Sequence, residues 1–151
     1  MQQKSKKEKF PPFVAIPKEM LKSPAWLALG NAARVAYIHI KAKAFSRNPG
    51  ELPLSFGEME EVMERRTYSW ALKELEEFGF IEKVQRGGLY RRRNFFKLID
   101  DWRKKTTTDI GLGKARLKKA KEEMKKRKDS RGTNDTVDSG TNDTVNIEFG
   151  D

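Results

Sequence analysis

Between Leu54 and Leu98 the apolar spacing changes from the period of a helix to that of a strand, and a glycine stands at the change. Ala71, Leu72, Leu75 and Phe78 fall on one helical face, with Tyr68 at the leading edge. Gly79 can take the left-handed conformation that stops a helix. Phe80 to Gln85 then alternates loosely and reads as a strand. Arg86-Gly87-Gly88-Leu89 reads as a turn, and Asn94 to Leu98 as the returning strand. Upstream, Phe56, Met59, Val62 and Met63 have core spacing, which predicts a helix over 56–63. Ser55 and Glu58 stand at capping-box spacing before it. After Glu64-Arg65-Arg66 a second helix is expected from Thr67 to Phe78. The fold class is therefore mainly α with a small β-hairpin, an α+β domain.

The segments before this stretch are helical and proline-punctuated. Met1 to Lys9 is polar and lysine-rich and reads as a disordered tail. Phe13 to Ile16 reads as extended. Pro17 and the pair Ser23-Pro24 each open a short helical turn, with Ser23 as an N-cap. Gly30 is expected to close the second turn, and Asn31 to cap a helix from Ala32 to Phe45. Ala33, Ala36, Tyr37, Ile40 and Ala44 form one apolar stripe there, and Val35, Ile38, Ala42 and Phe45 a second. A helix apolar on two sides should be sandwiched. His39 lies between the stripes and reads as a surface side chain.

Charge divides the chain into four parts. The net charge is +3 over residues 1–12, +3 over 13–102, +9 over 103–131 and −5 over 132–151. The balanced middle suits a folded domain over residues 10–102, after the 1–9 tail. The strongly basic 103–131 reads as a linker, Thr106-Thr107-Thr108 and Gly111-Leu112-Gly113, followed by a segment that is disordered or folds against a partner. Its apolar stripe is only Leu117, Ala120 and Met124. Residues 132–151 form an acidic tail in which Gly-Thr-Asn-Asp-Thr-Val occurs twice, from Gly132 and from Gly140. A chain with net charge +10 favours polyanionic partners, since basic side chains displace counterions from phosphates.

Several function classes lack their parts. There is no cysteine and one histidine, His39, so disulfides, cysteine metal sites, a His-rich metal site and a Ser-His triad are excluded. No phosphate-binding loop, dinucleotide fingerprint or zinc-protease motif is present. The carboxylates Glu58, Glu60, Glu61 and Glu64 read as a solvated surface. No enzyme activity, cofactor or metal is expected. No apolar run is long enough to span a membrane, and the lysine-rich start lacks the apolar core of a signal peptide, so a cytoplasmic location is expected.

Two helices, a tight turn and a hairpin resemble the winged helix-turn-helix superfamily over roughly Asn31 to Leu98. The sharpest part is Thr67-Tyr-Ser-Trp-Ala-Leu-Lys-Glu-Leu-Glu-Glu-Phe-Gly-Phe-Ile81, which looks like a recognition helix, its glycine stop and the first wing strand. The texture FVAIPKEML, PAWLAL and AARVAYIHI, with NFFKLIDDW, resembles amino-terminal DNA-binding domains of phage and plasmid replication proteins and related mobile-element proteins. The resemblance implies sequence-specific double-stranded DNA binding, in replication initiation or transcription regulation.

The residues themselves fit that chemistry. The outward positions at the start of the second helix are Arg65, Arg66, Thr67, Ser69, Trp70 and Lys73. Arginine suits guanine edges, and Thr, Ser and Lys suit phosphates or bases. Trp70 has two readings: contact with a thymine methyl, or packing under the wing or in a homodimer interface. Arg86, Arg91, Arg92 and Arg93 cluster at the hairpin tip, where they can reach backbone or minor groove. Glu74, Glu76 and Glu77 sit toward the helix C-terminus, which should turn away from phosphate. The 103–131 segment reads either as an arm along DNA or as a solvated linker. The alternative function is a protein-interaction adaptor that uses the winged-helix domain and the C-terminal repeats to recruit replication machinery; the repeats read either as paired peptide ligands for replication or transcription proteins or as a low-complexity tail.

Overall fold

The computed structural model describes residues 11–44, 50–85 and 94–132. It divides into two units, 1–117 and 118–151. The first begins with two short helices, α1 (Lys18–Lys22) and α2 (Pro24–Ala28), followed by α3 (Asn31–Ala42). Ser23 caps α2 as its sequence context dictates, its hydroxyl oxygen accepting from the Trp26 N–H at 3.1 Å. Pro24 at the first helical position loses no hydrogen bond there.

The α3 start differs from expectation. Gly30, not Asn31, is the N-cap, and its φ of −68° is not the left-handed conformation of a helix stop. Its N–H donates to Glu74 Oε2 at 2.8 Å, and a Cβ at this position would lie 3.2 Å from the same oxygen. Only the first apolar stripe of α3 is buried, through Ala33, Ala36, Tyr37 and Ile40. Val35 is half-buried, while Ile38, Ala42 and Ala44 are exposed. The helix is thus packed on one side rather than sandwiched. Phe45 lies outside the described residues.

The sheet has three antiparallel strands in the order β1-β3-β2: β1 (Leu52–Pro53), β2 (Ile81–Gln85) and β3 (Phe95–Leu98). The two strands expected from the sequence pair antiparallel, and β1 adds a third beside them. Leu52 pairs with Phe96 and Pro53 with Phe95. Pro53 is tolerated because β1 is an edge strand and needs no donor on its open side. A bulge between Lys83 and Gln85 breaks the β2–β3 register beyond Lys83↔Phe96. Arg86 to Arg93 lie outside the described residues.

No helix forms over 56–63. A single 3-10 turn, Phe56–Glu58, is followed by irregular turns. Met59 is fully buried, Phe56 and Met63 are half-buried and Val62 is exposed, so the apolar spacing marks burial without a regular helix. Ser55 and Glu58 do meet, but side chain to side chain, the hydroxyl donating to Glu58 Oε1 at 3.3 Å. The backbone cap of a capping box is absent.

The next helix, α4 (Arg65–Glu77), starts two residues earlier than expected, so Arg65 and Arg66 form its first turn rather than a preceding loop. Gly79 ends it with φ +80°, in the left-handed region. A side chain there would also collide with Asp101 Cβ and the Trp102 nitrogen, each 2.9 Å from a Cβ.

Phe80, the next residue, is the centre of the core. Its ring meets Trp26 and Tyr37 edge-on at 5.8 and 5.4 Å and stacks on Trp102 at 6.0 Å. One side chain thereby joins α2, α3 and the base of β2 to the 3-10 turn Asp101–Lys104. Aromatic pairs in these geometries add about 0.5–1.5 kcal/mol each beyond area burial.

From Arg103, where composition suggested a linker, the chain forms that 3-10 turn and then α5 (Thr107–Gly132). Thr106 and Asp109 make a reciprocal cap. The Thr106 N–H and hydroxyl donate to Asp109 Oδ2 at 2.9 and 2.7 Å, and the Asp109 N–H donates to Thr106 Oγ1 at 3.2 Å. These bonds hold the Asp109 carboxyl below its ordinary pKa. Ile110 enters the core and Leu117 packs against it. Gly113 permits close packing, since a Cβ there would stand 2.9 Å from the Phe78 ring. The second unit, described to residue 132, is the distal part of α5, and it contributes nothing to the buried core.

Candidate nucleic-acid interface

Helix α4 is oriented by its inner face. Tyr68, Ala71, Leu72 and Leu75 are buried. The Tyr68 hydroxyl donates to the Leu54 carbonyl at 2.9 Å, which ties the first turn of α4 to the end of β1. Burial pushes the Tyr68 phenol up to about 12. With that face fixed, Arg65, Arg66, Thr67 and Ser69 are exposed, and Trp70 and Lys73 are half-buried beside them.

The sequence puts these six residues at the helix start, and the fold brings Arg66, Ser69, Trp70 and Lys73 onto one side of it. Arg65 Cζ lies 5.4 Å from the Phe56 ring centroid, so its guanidinium rests on the 3-10 turn. Lys73 Nζ sits 4.2 Å above the Trp70 ring. That contact leaves the indole packed under a cation at the surface and not within the core. Thr67 is exposed but lies round the helix from the Arg66 and Lys73 side.

The start of α4 is electrostatically unusual. Its N-cap, Glu64, makes no side-chain cap, and no acid stands in the first turn. Two arginines instead occupy the end that already carries the positive pole of the helix dipole. That arrangement costs stability and is relieved by an anion.

The acids of α4 are gathered at its other end and two are engaged within the fold. Glu74 accepts from the Gly30 N–H. Glu77 Oε1 accepts from Arg116 Nε of α5 at 2.9 Å. Spacing could not supply the role these two carboxylates take, as anchors for α3 and α5. A capping carboxylate 44 residues from its glycine leaves no local pattern.

The remaining expected residues, Arg86, Arg91, Arg92 and Arg93, lie outside the described residues, as do both acidic repeats beyond the first glycine. The strands on either side of those arginines in the sequence are described, and Lys83 Nζ on β2 lies 6.0 Å from the Phe96 ring of β3. Among the described residues no group of His, Asp or Glu could hold a metal ion. No helix among them is long and apolar enough to cross a membrane. Comparison with known families, with curated proteins and with solved structures gave no match.

Proposed function

We propose that this chain is a winged helix-turn-helix protein that binds double-stranded DNA sequence-specifically, with α4 in the major groove and the Arg86–Arg93 tip on the backbone or minor groove. The order helix, edge strand, short turn, helix, hairpin, with β1 added beside β3, supports the fold reading. The observation that carries the function is the charge segregation of α4. Its exposed first turns hold Arg65, Arg66, Thr67 and Ser69, while Glu74 and Glu77 are turned to internal contacts. A recognition helix reads bases with its N-terminal residues and must keep carboxylates off phosphate. The resemblance to phage and plasmid replication proteins makes replication initiation or transcription regulation the context.

Selection of bound duplexes from a random pool, followed by titration of the winner and a scrambled control, tests the reading. A recovered consensus that binds at least tenfold more tightly than the control is the expected result. Equal affinity for all duplexes, or none at low salt, sinks it.

A further inference from the structure

In the distal part of α5, Lys118, Lys121, Lys125 and Lys128 recur at i, i+3, i+7 and i+10 and are all exposed. Helical geometry places them in one stripe about 15 Å long, with successive lysines one turn apart. Glu123 lies on the opposite side of the helix, while Glu122 and Asp129 stand at the stripe's edge, four residues after Lys118 and Lys125.

We propose that this lysine stripe is a second, sequence-blind contact to the phosphate backbone of the same duplex. The proposal rests on the DNA-binding reading above. A membrane surface is the poorer occupant. Helices that lie in a bilayer interface need a broad apolar face rich in Trp, Phe or Leu. The only apolar side chains over residues 118–132 are Ala120 and Met124. The same poverty leaves no set of apolar anchors for a protein groove. Phosphates need only regular positive charge.

The test is a salt titration of the full chain on a fluorescent mixed-sequence duplex several helical turns long. Two variants of equal charge are compared, Lys121→Gln with Lys125→Gln on the stripe, and Lys119→Gln with Lys126→Gln off it. Glutamine matches lysine as a helix former, so both variants keep α5. The stripe pair should flatten the slope of log K against log salt by about 2, one unit for each phosphate that is no longer neutralised. The off-face pair should flatten it by less than half as much. Equal effects from both pairs, or no effect from either, overturn the stripe while wild-type binding leaves the DNA reading intact. Failure of the wild-type chain to bind duplex at low salt overturns both. Binding to phosphatidylserine vesicles that the stripe pair abolishes, with unchanged duplex titrations, reassigns the stripe to a lipid surface and also overturns the proposal.

Discussion

Glu74 on α4 accepts a hydrogen bond from the Gly30 N–H at 2.8 Å, and so caps α3 from 44 residues away. The bond fixes the two helices to each other and at the same time removes a carboxylate from the candidate DNA face. Glu74→Ala should lower stability by about 1 kcal/mol, the usual worth of a helix N-cap. Urea unfolding followed by circular dichroism measures it. An unchanged midpoint would show that the bond contributes nothing.

Burial pushes both Tyr68 and Tyr37 up to about 12, with the Asp100 charge adding to the effect on Tyr37. Their ordinary value is about 10. Because the folded value is the higher one, the stability they confer is fully present below pH ~10 and is lost as pH rises through the folded value. Urea midpoints should therefore fall between about pH 10 and 12. Tyr68→Phe should flatten that fall by about half. It should also cost about 1–2 kcal/mol at neutral pH, by leaving the Leu54 carbonyl without its donor.

Gly111 and Gly113 are two residues apart on α5 and should respond to alanine with opposite signs. A Cβ at Gly111 meets nothing within 4 Å, so Gly111→Ala gains about 1 kcal/mol of helix propensity. A Cβ at Gly113 would come 2.9 Å from the buried Phe78 ring and 3.1 Å from Glu77 Cγ. Overpacking of that kind costs about 1–3 kcal/mol and outweighs the same propensity gain. Thermal unfolding of the two single variants decides it. A stabilised Gly113→Ala would mean that α5 does not pack where the structure places it.

On DNA, Arg66→Ala should weaken binding to the selected site by about 1–3 kcal/mol and relax preference at one base position. Arg92→Ala should weaken all duplexes alike and lower the salt slope by about one. Fluorescence anisotropy against the selected and scrambled duplexes measures both. If neither variant differs from wild type, the base-reading and wing assignments are wrong.

Trp26 and Trp102 are buried, whereas Trp70 lies half-buried on the outward side of α4. A change in intrinsic fluorescence on adding duplex should therefore come from Trp70 and vanish in Trp70→Phe. Persistence of the full change in that variant would place the signal in the core and remove Trp70 from the interface.

The features legible without the fold were those set by neighbours in the chain. The apolar stripe of α4, the Ser23 cap, the left-handed Gly79 and the strand after it each depend on the conformational preference of a few adjacent residues, and each appears in the structure. The Thr106–Asp109 cap was local too, and polar composition concealed it as a linker. What tertiary structure alone decided was everything set by contacts distant in sequence. Phe56 to Met63 has helical spacing, yet a 3-10 turn forms, with Phe56 packing on Tyr68 at 5.9 Å and Met59 entering the core. Leu52-Pro53 became a strand because β3 offered it an edge. Ile110 drew the start of α5 into the core. The sequence by itself determined which helix carries Ser69 and Lys73, and the fold added Arg65 and Arg66 to its first turn. Only the fold decided that Glu74 and Glu77 would turn to Gly30 and Arg116, because a carboxylate takes whichever donor packing brings within reach.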